Sequence, residues 1–250
     1  MHVIDDFNAD QFTTEEGYGL IPRDYGKIPL GEMPYTSPFA VSFAIIPETQ
    51  WESRIQAMEG KQIRHLYTGT PAEDFQNGLS YCWAFSLSQA AKASRDADDQ
   101  PHVDLLAESL GGSVGFRNRG NSCGDAIQWA SAHGFCDRSY SPKRYGLDTR
   151  AWKTGWEDEA KNHRVTEWWE LGHVDMLSET ITALLLGFSV YVGLNWASHA
   201  MNFQEVQWVD GKPAIWTPNT WNAGQDWLLK GSKMVPDEAY CIRGTTWSKS

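Results

Sequence analysis

Cys82 stands where a glycine-containing loop, beginning near Gln76, gives way to a run of Ala, Leu, Gln, Phe and Trp that reads as a helix. A thiol at a helix start feels the positive end of the helix dipole, which favours thiolate over thiol. Thiolate is the nucleophilic form, so the position suits covalent catalysis. Gln76 lies six residues upstream on the loop, where a side-chain amide can donate to a developing oxyanion. Such a nucleophile needs a base that can also protonate a leaving amine, and imidazole has the pKa for both tasks.

Seven histidines are available. His2 lies in an acid- and Gly-rich stretch, His65 precedes the nucleophile loop, and His133 closes a predicted helix. His102, His163 and His173 sit in polar surroundings that read as solvent-facing. His199 differs, lying in Trp-Ala-Ser-His-Ala-Met-Asn-Phe at the entry to a predicted hairpin. Taken alone, that position suits a hydrogen-bonded core histidine. The hairpin returns at Trp-Thr-Pro-Asn-Thr-Trp, bringing Asn219 and Trp221 back near the start of its first strand. A carboxamide there can accept from one imidazole nitrogen and fix the ring, and an indole beside it can screen that bond from water.

The elements that must position these groups follow from pattern. Residues 1–45 are rich in Gly, Pro, Tyr and acid and read as an extended arm with one short strand at about 39–46. Residues 47–60 suit a short amphipathic helix and 61–75 an irregular lead-in. The helix from Cys82 should run to about Ala97, ending in Asp-Ala-Asp-Asp-Gln-Pro. Residues 103–110 read as a second helix, 111–121 as a loop, and 124–133 as a third helix stopped by Gly134. Residues 135–172 read as mostly loop, 178–186 as a helix closed by Gly187, and 188–195 as a strand. Residues 200–209 and 213–217 flank Asp210-Gly211, a strong hairpin turn, and a last strand falls at about 238–243.

At 250 residues the chain can bury a substantial core, as one domain or two tightly packed halves. Thirteen tryptophans, spread along it, read as core or cleft walls. The net charge of −11 argues against nucleic acid as a main partner. Four cysteines are too few for a disulfide framework in a chain this long. There is no Cys-x-x-Cys, and the His133–Cys136 spacing stands alone, so no metal site and no cofactor is expected. The N-terminal residues lack the apolar segment of a signal peptide, and no apolar run approaches membrane-spanning length. The expectation is a soluble chain, cytoplasmic or part of an assembled particle, without a membrane partner.

Gln-x-Gly-x-x-x-Cys-Trp-Ala-Phe-Ser, at Gln76, Gly78 and Cys82 through Ser86, resembles the nucleophile segment of the papain-like cysteine peptidases. Two departures are Leu79, where the family usually has a second Cys, and Tyr81, where it has a small residue. Asn219-Thr220-Trp221, with Gly224 and Trp227 following, resembles that family's Asn-Ser-Trp-Gly-x-x-Trp-Gly, with Thr for Ser and Asn222 for a Gly. His199 comes 117 residues after Cys82 and Asn219 comes 137 after it. The family's downstream spacing is about 130–150, so the β half reads as trimmed.

The resemblance implies an α+β, two-lobed fold. Residues 1–45 would form the arm and 46–250 the catalytic domain, with a helical lobe at roughly 60–145, a β lobe at roughly 175–245 and a cleft between. It implies Cys82 as nucleophile, His199 as general base and acid, Asn219 as orienter, Gln76 as oxyanion donor and Trp221 as shield. Gly120 is the nearest match to the glycines that pair with substrate backbone. The expected activity is thiol-dependent cleavage of a peptide or protein substrate, by an endopeptidase. The helical inhibitory pro-segment of the family has no counterpart in the arm. That leaves the arm as a tail wrapping its own domain, a shield for the cleft, or a tie into a larger protein assembly. The alternatives are a structural or docking subunit of a phage-like particle that keeps the fold, and an amidase or transpeptidase acting on cell-wall peptides.

Overall fold

The computed structural model describes residues 1–14, 17–34, 36–221 and 225–246; Asn222 and Gly224 lie outside the described residues. The described strands are β1 (His2–Ile4), β2 (Ser37–Pro38), β3 (Leu105–Leu106), β4 (Cys136–Asp137), β5 (Val165–Glu170), β6 (Ser189–Leu194), β7 (His199–Phe203), β8 (Glu205–Val209), β9 (Lys212–Thr217), β10 (Trp227–Leu229) and β11 (Glu238–Thr245). The α-helices are α1 (Phe39–Ser42), α2 (Trp51–Ala57), α3 (Ile63–Leu66), α4 (Pro71–Asp74), α5 (Cys82–Ala97), α6 (Cys123–His133), α7 (Trp156–Ala160) and α8 (Met176–Leu185).

Two larger sheets and one long helix organise the chain. The sheet β2-β5-β11-β6-β7 carries His199 at the start of its edge strand, and β1-β10-β9-β8 continues from it through the hairpin. Asp210 and Gly211, both at positive φ (52° and 76°), make the tight turn between β8 and β9, the geometry a two-residue hairpin requires. Helix α5 packs against β6, β7 and β11 and is buried from Cys82 to Arg95. A helix covered on all sides must find partners for its polar side chains, and of α5 only Gln89 Oε1 and Arg95 Nε are buried without one among the described residues. Ser86 Oγ donates to Ala200 O at 2.7 Å, Ser88 Oγ to Leu105 O at 2.9 Å, and Arg95 reaches Thr245 and the Thr246 carbonyl.

The loop before Cys82 is stapled to the same helix. Lys92 Nζ reaches Asp74 Oδ1 at 2.6 Å and Glu73 Oε2 at 3.5 Å. Tyr67 Oη and Gln89 Nε2 donate to Asp74 Oδ2 at 2.7 and 2.8 Å. This network fixes α4, and hence Gln76 two residues on, against the middle of α5.

Several expected elements differ. The strand expected at 39–46 is instead α1, because Phe39 and Phe43 meet at helical spacing (ring centroids 4.7 Å), and only Ser37–Pro38 pairs, parallel to β5. The helix expected at 103–110 is replaced by β3, paired with β4, and a 3-10 stretch, Ala107–Val114. Within 135–172, read as mostly loop, β5 is a sheet strand whose pairing with β11 is broken by register shifts near Gly244. His163 is not solvent-facing: it is 9% exposed, with Nε2 2.7 Å from Glu159 Oε1. All four cysteines are free and buried.

Lys92→Met leaves two carboxylates beside α5 without their ammonium. Removing one partner of a buried pair costs about 3–5 kcal/mol, which a denaturant unfolding curve at neutral pH will show as a lowered midpoint with unchanged slope.

Candidate active site

Cys82 opens α5 after Tyr81, the N-cap residue, with φ −122° and no side-chain cap. The start of the helix is fixed from outside instead. Trp83 Nε1 donates to the Ser80 and Arg119 carbonyls, Ser80 N–H to Asn118 Oδ1 at 2.7 Å, and Tyr81 Oη to Arg117 O at 2.9 Å. The thiol itself is fully buried and accepts from the N–H of Ala200 at 3.3 Å. Ala200 directly follows His199, so β7 delivers the imidazole beside the sulfur's own neighbour.

His199 Nε2 lies 3.1 Å from Asn219 Oδ1, and the Trp221 N–H donates to the same oxygen at 3.0 Å. The opposite ring nitrogen, Nδ1, is buried and has no partner among the described residues. One nitrogen is therefore oriented and the other left free. Thr220, between Asn219 and Trp221, grips Gln76: its Oγ1 donates to Gln76 Oε1 at 2.7 Å and its carbonyl accepts from Gln76 N at 2.8 Å. The two motifs, 144 residues apart at this contact, thus clasp each other.

The N-terminal arm runs through this site. Its β1 pairs parallel to β10, and Lys230 N–H donates to Ile4 O at 2.8 Å. From there the chain crosses the site as a strap at Gly17–Ile21. Tyr18 N–H donates to Ser198 O at 3.1 Å, Leu20 N–H to the same carbonyl at 3.3 Å, Ile21 N–H to Asn121 O at 3.0 Å, and Asn121 N–H to Gly19 O at 3.1 Å. Leu20 and Asn121 form a parallel β-bridge. The Tyr18 ring lies 4.3 Å from the His199 ring and 4.9 Å from Trp221. The Tyr18 carbonyl accepts from Gln76 Nε2 at 3.2 Å, while Leu79 O takes the same nitrogen at 2.6 Å. The amide predicted to receive an oxyanion is holding a peptide oxygen of the chain itself.

Gly120 lies under the strap, where any side chain would collide with the Gly19 carbonyl. The backbone pairing expected of Gly120 is made on the strap by Asn121, one residue on. Sequence reasoning missed Tyr18, Leu20, Ser198 and Asn121. The signal for the first was Gly-Tyr-Gly: Gly17 and Gly19 have φ of 65° and 110°. A Cβ on Gly19 would run into the Ser80 backbone. Glycines on both sides of an aromatic permit such a close approach.

Burial decides the electrostatics. Desolvation pushes the Cys82 thiol up from 9.0 to about 12, against the lowering effect of the Ala200, Trp83 and Cys82 N–H groups. Desolvation likewise drives His199 down from 6.5 to about 4, with the Asn219 bond opposing it. The lowered thiol pKa expected at this helix start is therefore reversed under the strap, because losing water outweighs the dipole and the backbone donors. With the strap seated the pair is thiol and neutral imidazole. Among the described residues no group of three or more His, Cys, Asp or Glu is placed to hold a metal, and no helix is long and apolar enough to cross a membrane.

No family model and no curated protein sequence matches the chain. Solved structures do. Xylellain, a cysteine protease from Xylella fastidiosa, is 17% identical with a TM-score of 0.62, over 95% of this chain and 98% of that one. A structure bearing on the mite allergens Blo t 1 and Der p 1 is 14% identical with a TM-score of 0.60, over 95% and 82%. Digestive procathepsin L 3 of the Tenebrio molitor larval midgut is 13% identical with a TM-score of 0.59, over 72% and 68%. At these identities the likeness is one of fold.

Because His199 is held neutral, its share of stability is complete above pH 6.5 and is lost as pH falls toward about 4. Its size is on the order of 3 kcal/mol. Denaturant midpoints measured across that window will fall in the wild type and stay flatter in His199→Phe.

Proposed function

We propose that this chain, whose fold is that of the papain-like cysteine proteases, is a thiol-dependent peptide-bond hydrolase whose site is closed by its own N-terminal strap. The observation that carries the reading is the His199 ring, with Nε2 on Asn219 and Nδ1 unpartnered beside β7's contact with Cys82. His163 also has a buried Nδ1 without a partner, so what sets His199 apart is its neighbours: an orienting carboxamide on one side and, through Ala200, the Cys82 thiol on the other.

With the strap displaced, water and substrate replace Tyr18. Desolvation, which drives the two pKa values apart, then relaxes, and the thiol proton can pass to His199 Nδ1. Sulfur bonds to the scissile carbonyl carbon, and the oxyanion is received by the Cys82 N–H and by Gln76 Nε2, now free of Tyr18 O. The C–N bond breaks as the imidazolium proton moves to the leaving amine, leaving a thioester on Cys82. His199 then deprotonates a water, which attacks the thioester, restores the thiol and releases the carboxylate. Asn219 keeps the ring aligned throughout, and Trp221 covers that hydrogen bond.

The burial of the thiol favours a second reading, in which the strap is permanent and the chain is a structural or docking subunit that retains the fold. Gly19→Ala separates the two. A methyl there meets the Ser80 backbone at an unfavourable φ, which unseats the strap without touching a catalytic group. Gly19→Ala should cleave a fluorogenic peptide library faster than wild type, and adding Cys82→Ala should abolish cleavage with the cooperative melt retained. Adding Gln76→Ala should cost about 10²–10³-fold in kcat, the worth of one oxyanion donor. A Gly19→Ala chain that alkylates quickly at Cys82 and hydrolyses nothing would establish the structural reading.

A further inference from the structure

The strap is tied down on both sides of the catalytic groups, and its second tie is a buried ionic knot. Five residues beyond Tyr18, Arg23 turns its side chain inward until 4% is exposed, against a Glu170 side chain that is 1% exposed. Every guanidinium donor is used. Nη1 pairs with Glu170 Oε1 and donates to Tyr240 Oη at 3.1 Å. Nη2 donates to Ile28 O at 2.9 Å and Pro29 O at 2.8 Å, and Nε to Ile28 O at 3.1 Å. A planar five-donor fork can meet such a set of acceptors; an ammonium cannot.

Behind the carboxylate that Arg23 pairs with, the socket holds a second carboxyl group, Glu238. Tyr240 Oη passes its hydrogen to Glu238 Oε1 at 2.6 Å, and the Gly124 and Cys123 N–H groups that open α6 also favour the Glu238 carboxylate. Glu170 Oε2 accepts from Gly31 N at 2.6 Å and meets His173 Nε2 at 3.2 Å. Among the described residues no other Arg or Lys pairs with either carboxylate. Burial pushes Glu238 up to about 7, with Tyr240 and Arg23 as the leading opposing influences. Taking the guanidinium away would leave the Glu170 carboxylate buried without its Arg partner, which low-dielectric surroundings penalise heavily.

The socket adjoins the cleft. Glu238 is the register partner of Gly193, and a side chain at Gly193 would touch both Leu20 of the strap and Cys123. Between the Leu20–Asn121 bridge and Arg23 stand only Ile21 and Pro22, and the proline's fixed φ makes that link stiff. Movement at Arg23 therefore reaches the bridge and the Tyr18 carbonyl.

We propose that Glu170, Glu238 and Tyr240 form a guanidinium-binding site, and that its occupation by Arg23 is what holds the strap across Cys82. The inference rests on the reading that the strap shields Cys82, and it does not require that the chain hydrolyse anything. Its test is accordingly the alkylation rate of Cys82 in the full chain, with Cys123, Cys136 and Cys241 mapped as internal controls. Arg23→Ala should raise the Cys82 rate by about 10- to 100-fold, the change in open population that follows loss of a charge-assisted bond. The other three thiols should stay slow. Ethylguanidinium, which replaces the atoms removed, should return the rate toward the wild-type value, and ethylammonium at equal ionic strength should not.

An unchanged Cys82 rate in Arg23→Ala, or equal rescue by the two cations, overturns the proposal. If Arg23→Ala instead exposes all four thiols, Tyr240→Phe decides, since it deletes one acceptor and leaves the ion pair. Several-fold faster labelling confined to Cys82 supports the latch, and no change refutes it. Rapid Cys82 labelling without hydrolysis would uphold this inference while ending the hydrolase reading.

Discussion

A buried imidazole has two nitrogens to account for, and the arrangement of this chain follows from holding only one of them. Asn219 fixes Nε2, which requires that the segment after β9 return to the start of β7. The hairpin between those strands closes on the tight Asp210-Gly211 turn. The same return brings Thr220 onto Gln76, so the carboxamide on the ring and the loop that leads to Cys82 are positioned by consecutive residues. On the other side, α5 is pinned through Ser86 to Ala200 and through its thiol to the same residue. One short stretch, Ser198 to Ala200, thus touches the helix, the strap and the orienting amide.

The strap changes what these groups are. Each element that would make Cys82 reactive is present: a helix start, three N–H groups that lower the thiol, and an imidazole one residue from its neighbour. Their combined effect is smaller than the cost of removing water. On the proposed reading, reactivity is a matter of access: the same side chains are inert while Tyr18 lies against His199 and become poised when it leaves.

Much of this was legible in the sequence, and the exceptions have causes. Helix α5 was visible because sixteen residues without Gly or Pro, rich in Ala and long side chains, leave few other conformations. Asn219 and Trp221 were visible because a strong turn fixes where a hairpin returns. Strand β5 was not, since its buried positions do not alternate where β11 slips register, and period-two patterning was the only signal available. The strap's place was hidden for a different reason. Gly-Tyr-Gly says that the backbone approaches something closely, but its partners, Ser198 and Asn121, are far along the chain, and no local preference names them. The histidine that looked solvated, His163, was misjudged because its burial depends on Glu159 one helical turn away.

Anchorage on both flanks, at β1 and at Arg23, makes the strap an intramolecular competitor rather than a ligand that can diffuse away. A segment tethered over its own binding groove acts at an effective concentration in roughly the millimolar range, whatever the protein's dilution. Contacts that would be feeble in a free peptide suffice to keep the groove filled. If the cleft binds peptides as proposed, a soluble peptide must outnumber a rival that is always within reach, and occupancy follows local crowding and the integrity of two distant knots.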